Sequence, residues 1–243
     1  MAATINSTVM DVVQHPYWPV GAEINGYLAN TMGVPQLLAT FAGGCAVIIA
    51  VTSAIVKGVR PGMPLSELST TLWFAICGCI HFFFEGYYSY NYKRMGGSMD
   101  LFGQLWKEYS LSDSRYLTPD SFVWPMETIT AVCWGPLSFT VAWMIIKDHP
   151  MRHPLQAIVS LGQLYGDVLY YGTSMFDKFA FGVSYCRPEG YYFWGYYFFL
   201  NLFWIVIPLS LLISSVRASA RAFKALHKME KTLNASSAAK KTI

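Results

Sequence analysis

The chain is divided into apolar runs of roughly 20 to 25 residues, each long enough to cross a bilayer as a helix, separated by short polar breaks. Five runs stand out, near residues 34–56, 69–91, 122–146, 155–175 and 191–213. The fourth is the least apolar, because GQLYGDVLYYG is polar for a span. The pattern predicts an all-α membrane protein, a five-transmembrane-helix bundle forming one domain over residues 1–243. Between the second and third runs lies a longer polar segment, residues 93–120, whose acids and bases nearly cancel. A basic tail, 217–243, follows the last run, and no internal repeat is evident.

Composition supports this reading. Only 13% of the 243 residues are charged and 54% are hydrophobic, against about 25% charged in a typical soluble domain. The net charge of +3 gives no reason to expect nucleic acid as a partner. Of the five cysteines (Cys45, Cys77, Cys79, Cys133, Cys186) most fall inside apolar runs, which argues against a disulfide framework. Cys77 and Cys79 face different sides of a helix, a poor spacing for metal ligands. The first residues, MAATINSTVMDVVQHPYWP, have no basic region followed by an apolar core and do not read as a cleaved signal peptide.

Orientation follows from the cations. The tail RASARAFKALHKMEKTLNASSAAKK is strongly basic, and KGVR after Val56 and KDHPMRH after Ile146 fall on the same side of a five-span chain. The positive-inside rule places all three in the cytosol and the N-terminus across the membrane. The last four residues, Lys240-Lys241-Thr242-Ile243, resemble a dilysine retrieval signal, which points to the endoplasmic-reticulum membrane.

A charged side chain at the centre of a span costs roughly 2.5 to 3.5 kcal/mol, so such residues face inward and usually have a job. The candidates are His81 and Glu85 in the second run, Glu127 and Thr130 in the third, Asp167 in the fourth, and Asn201 with Trp204 in the fifth. His81 and Glu85 are four apart and share a helical face. Counted from the same membrane surface, Glu85 and Glu127 lie roughly 8 to 9 Å deep, and His81, Asp167 and Asn201 roughly 15 Å. Polar groups from four helices thus fall in one slab. Taken alone, Asn201 reads equally well as an interhelical hydrogen-bond partner, and Asp167 reads first as a structural tie between helices. For His81, Glu85 and Glu127 together, function is the stronger reading. Most aromatics, including YYFWGYYFF at 191–199, fit an interfacial belt, but Trp204 sits deeper and reads as a pocket wall.

Acids in a dry aromatic pocket can protonate an unactivated alkene and shelter the carbocation, and a cation over an indole face gains about 2 kcal/mol when desolvated. No nucleophile elbow, phosphate loop or zinc ligand set appears, so no cofactor is expected. A proton shuttle acting on a lipid-like substrate fits, and so does a ligand-binding receptor.

The segments HPYWP (15–19), IHFFFEGYY (80–88), QLWKEYSLSDSRY (104–116), METITAVCWGPLS (126–138), GQLYGDVLY (162–170) and YFFLNLFWIVIP (197–208) carry a specific resemblance. In this order, and over nearly the whole chain, they resemble the emopamil-binding protein family of Δ8–Δ7 sterol isomerases and their five-span relatives. The resemblance implies a sterol substrate whose 8(9) double bond lies among the polar groups. His81 and Glu85 would donate the proton, with Glu127 as partner. Asn201 would orient the acids, and Trp204 would face the cation. Tyr116, Met126, Thr130 and Asp167 would contact substrate. The implied partners are sterols, membrane lipids, cationic amphiphilic amines as inhibitors, and a second copy in a homodimer. KRMGGSMDLFGQ, WPMETITA with Pro125, and FDKFAFGVSYCRPEGYY depart from the family pattern beside the pocket, so substrate identity is where this chain would differ. Two other readings stay open: a membrane-bound terpenoid or meroterpenoid cyclase using alkene or epoxide protonation, and a non-enzymatic sterol- or amine-binding protein.

Overall fold

The computed structural model describes residues 15–240, with side chains as far as residue 237. Residues 1–14, most of the segment tested for a signal peptide, lie outside the described residues, as do Lys241, Thr242 and Ile243 of the dilysine-like end. The chain forms α1 (Val34–Val59), α2 (Leu65–Gly97), the short α3 (Leu101–Tyr109), α4 (Val123–Ile146), α5 (Arg152–Phe181) and α6 (Tyr192–Ser237). There is no strand among the described residues. Helices α1, α2, α4 and α6 are long and apolar enough to cross a membrane.

Helix α5 has 30 residues, enough length, but not the apolarity of the others. Its polar residues are arranged as a stripe. Gln156, Ser160, Gln163 and Ser174 are buried on its inner face, while Ile158, Leu161, Tyr165, Val168, Phe176 and Phe179 point outward. That is a helix with its polar side turned into the protein and its apolar side turned out.

Local signals set the helix ends. Pro35 lies in the first turn of α1, where its missing N–H costs nothing. Asp100 caps α3 by accepting from the Gly103 amide at 3.1 Å. Gly182 closes α5 in the left-handed region, at φ 70°, which a glycine adopts without strain. Helix α6 does not stop where its apolar run ends. It continues through the basic tail as one helix of 46 residues, because no Gly or Pro follows Pro208 and the tail is rich in good helix formers.

Three of the long helices contain a wider π turn: Ile80–Glu85 in α2, Thr130–Trp134 in α4 and Tyr192–Leu200 at the start of α6. Such turns reset which side chains face inward and are frequent at functional sites. Helices α2 and α4 approach closely here, and a Cβ on Gly135 would stand 2.9 Å from the backbone nitrogen of Phe82. The core divides in two. Phe74, Val141, Ile145 and Val159 form an aliphatic cluster at one end, and Tyr88, Trp106, Tyr116, Tyr170 and Tyr197 form an aromatic one at the other.

The segment between α2 and α4 is polar in sequence yet folds into the bundle. Ser110, Ser112, Asp113, Ser114 and Arg115 are all buried. Arg115 pairs with Asp113 at 2.7 Å and donates to Thr173 of α5 at 2.8 Å. Lys107 is fully buried because its Nζ donates to the Leu28 carbonyl at 2.7 Å, and Gln104 accepts from the amides of Thr31 and Met32 at 2.9 Å each. The N-terminal segment thereby fastens α3 across the mouth of the bundle as a lid. All five cysteines are free.

Candidate active site

Under this lid lies a cavity of about 510 Å³, walled by all five long helices and by α3. Its lining is mostly apolar and aromatic. The nine side chains singled out in the sequence, His81, Glu85, Glu127, Asn201, Trp204, Tyr116, Met126, Thr130 and Asp167, all line it.

The acid and base groups form two hydrogen-bonded sets. The Gln163 amide donates to Nε2 of His81 at 2.9 Å. Nδ1 of His81 therefore carries the ring hydrogen and faces both carboxyl oxygens of Glu85, each at 2.9 Å. Glu85 and Glu127 line the same cavity, from α2 and α4. In the second set Tyr116 donates to Glu127 Oε1 at 2.7 Å. Burial pushes the Tyr116 phenol well above its usual pKa, so it remains a donor. His81 is only 2% exposed and Glu127 only 4%, which keeps water from competing for these bonds.

The opposite wall differs from the sequence expectation in two respects. Asn201 makes no hydrogen bond to the acid groups: its amide donates to the Tyr109 hydroxyl at 2.8 Å and to the Tyr197 carbonyl at 2.7 Å. It braces the lid rather than the acids. Asp167 is no interhelical tie, since its buried Oδ2 has no hydrogen-bond partner among the described residues. Thr130 spends its hydroxyl on the Met126 carbonyl one turn back, at 2.8 Å. Trp204 stands beside His81, ring centres 6.2 Å apart, and against Trp73 at 5.5 Å.

Comparison with known proteins agrees with this arrangement. Residues 101–215 match the model of the EXPERA (EXPanded EBP superfamily) family. The 3-beta-hydroxysteroid-Delta(8),Delta(7)-isomerase of Cavia porcellus is 38% identical over 84% of this chain and 88% of its own. That of Mus musculus is 38% identical over 86% of this chain and 90% of its own. The chain belongs to the EBP family. A protoglabretal synthase of Citrus sinensis is a further relative, 31% identical over 67% of this chain and 75% of its own.

The region matched to the EBP family model opens at Leu101, the first residue of α3, so the lid is part of the shared unit. His81 and Glu85 lie ahead of that region, on α2. Among the cavity residues that sequence reasoning missed are Trp73, Trp106, Tyr109 and Gln163. Trp106, Tyr109 and Gln163 stand inside segments that carried the resemblance. Gln163 had a further signal, lying four residues before Asp167 on the same face of α5.

Proposed function

We propose that this EBP-family member is a membrane-bound 3β-hydroxysteroid Δ8–Δ7 isomerase. The observation that carries the reading is the gathering of His81, Glu85 and Glu127 in one mostly apolar cavity, with His81 hydrogen-bonded to Glu85. The named isomerases that cover most of this chain at 38% identity support it. The acid of the His81–Glu85 pair delivers its proton to C9, and the C8–C9 π electrons form the new C–H bond. The positive charge left at C8 faces the indole of Trp204. Glu127 then removes a proton from C7, and that C–H electron pair becomes the C7–C8 double bond. On product release Glu127 loses its proton to solvent and Glu85 takes one up from solvent. One proton enters and one leaves, so the site is reset without a redox partner.

An ammonium group in the same place mimics the C8 cation beside two carboxyl groups, which is why cationic amphiphilic amines are expected inhibitors. Five spans are the topology that places α5 in lipid, in keeping with its apolar outer face. The basic end of α6 then lies in the cytosol, with the protein in the endoplasmic-reticulum membrane. A homodimer remains part of this proposal. The synthase relatives favour a second reading, in which the same acid serves a different terpenoid substrate.

The deciding experiment is expression in cells lacking their own Δ8–Δ7 isomerase, grown in deuterium oxide, with sterols analysed by mass spectrometry. Δ7 sterols labelled at C9 are the expected product. Persisting Δ8 sterols, with the protein folded in the membrane, would move the synthase reading to the front. A second outcome concerns Gln163, which fixes the His81 tautomer. Gln163→Leu should lower kcat about tenfold to a hundredfold, less than loss of a full acid–base contribution, with KM little changed in a microsomal assay.

A further inference from the structure

Helix α5 brings two glycines to the cavity wall, Gly162 and Gly166, four residues apart. Glycine is the poorest helix-interior residue after proline, so each position needs a reason. Neither has a left-handed backbone that would require one. Packing explains Gly162. A Cβ there would stand 2.4 Å from the indole of Trp134, which belongs to the π turn of α4. Gly166 has no such neighbour: a Cβ there would meet no atom of another element within 4 Å among the described residues. The cavity wall therefore has a notch at Gly166 that neither the backbone nor the packing of the protein demands.

The notch lies level with the acids. Three residues before it, Gln163 bonds to His81. Four residues after it, Tyr170 meets the Tyr109 hydroxyl of the lid at 3.5 Å. Glu85 falls in the same interval on α2, between His81 and Tyr88, whose ring packs against Trp106 of the lid. Gly166 thus borders the stretch of cavity where the proton is transferred.

We propose that Gly166 sets the size limit of the substrate pocket: part of the rigid sterol ring system fills the notch, and this lets the ring double bond reach Glu85 and Glu127. This rests on the isomerase reading and adds to it a wall of the pocket that bears no reactive group. Fused rings cannot bend around an added methyl group. A side chain at this position must then push the whole ring system away from the acids, where a small misplacement is costly.

The test uses the full-length protein in membranes and compares wild type with Gly166→Ala, Gly166→Val and Gly172→Ala. Gly172 is the control: it lies on the same helix with open space at its Cβ, but it is exposed and does not line the cavity. Gly166→Ala should lower both kcat/KM and equilibrium binding of a Δ8 sterol about tenfold, and Gly166→Val should lower them further. Gly172→Ala should stay within about threefold of wild type. Ligand-free Gly166→Ala should nevertheless unfold at or above the wild-type temperature, because alanine favours the helix and the notch has room for its methyl group. A Gly166 with a purely structural role would show the reverse, a lower unfolding temperature with sterol affinity kept. That result overturns the proposal. So does wild-type affinity and turnover in Gly166→Ala, or an equal loss in Gly172→Ala. If Gly166→Val does not fold, Gly166→Ala alone decides. If the wild type binds the Δ8 sterol without isomerising it, the isomerase reading fails and the binding ratios decide Gly166. Absence of sterol binding by the wild type overturns both.

Discussion

Glu127→Gln will lower the rate of double-bond migration by about 10²- to 10⁴-fold, the usual share of a positioned acid or base, while leaving sterol binding within a few-fold of wild type. The change is nearly isosteric. The amide oxygen can accept from Tyr116, as Glu127 Oε1 now does at 2.7 Å. The cavity, the lid and the Glu85 position are therefore kept. What is lost is the ability to take a proton from C7. Single-turnover kinetics in membranes, paired with equilibrium binding of the Δ8 sterol, separates the two effects. A variant that turns over at the wild-type rate would remove Glu127 from the proton path. A variant that binds sterol a hundredfold more weakly would make its main role structural.

Much of this arrangement was legible in the sequence, because a bilayer demands long apolar runs and penalises any charge within them. The runs located the long helices, and the four-residue spacing of His81 and Glu85 announced their contact. Helix α5 was the weakest of the five because its inward face is a polar stripe, Gln156, Ser160 and Gln163 among it, which dilutes the average apolarity of the segment. The π turns were hidden, since a shift of hydrogen-bond register leaves no mark on apolar periodicity. The lid was hidden for a different reason. Lys107 and Gln104 are polar and look solvent-facing, yet they are buried by partners in residues 28–32, more than 70 positions away along the chain. Asn201 follows the same logic. A lone intramembrane amide signals that a partner exists, but only the folded chain shows that the partner is Tyr109 of the lid rather than an acid.

Arg115→Ala should destabilise the protein by about 3 to 5 kcal/mol, the cost of leaving one member of a buried ion pair without the other. Arg115 is 1% exposed and Asp113 0%, and their contact is bidentate, with Nε to Oδ1 at 3.0 Å and Nη2 to Oδ2 at 2.7 Å. The guanidinium also donates to Thr173 Oγ1 at 2.8 Å and lies over the Tyr170 ring, its carbon 5.0 Å from the ring centre. Alanine removes all of these and strands the Asp113 carboxylate away from water. Replacing both members with apolar residues removes the charge along with its partner, so Asp113→Leu combined with Arg115→Met should cost less than the sum of the two single changes. Thermal unfolding of the detergent-solubilised protein measures both quantities; additive losses would mean that the two side chains act independently. The consequence for chemistry follows from the chain itself. Tyr116 is the next residue after Arg115, so the ion pair that pins this turn to α5 also aims the Tyr116 hydroxyl at Glu127. Loosening the lid should therefore weaken the acid pair before it unfolds the bundle, and in the Arg115→Ala variant activity should disappear at a lower temperature than helix content does.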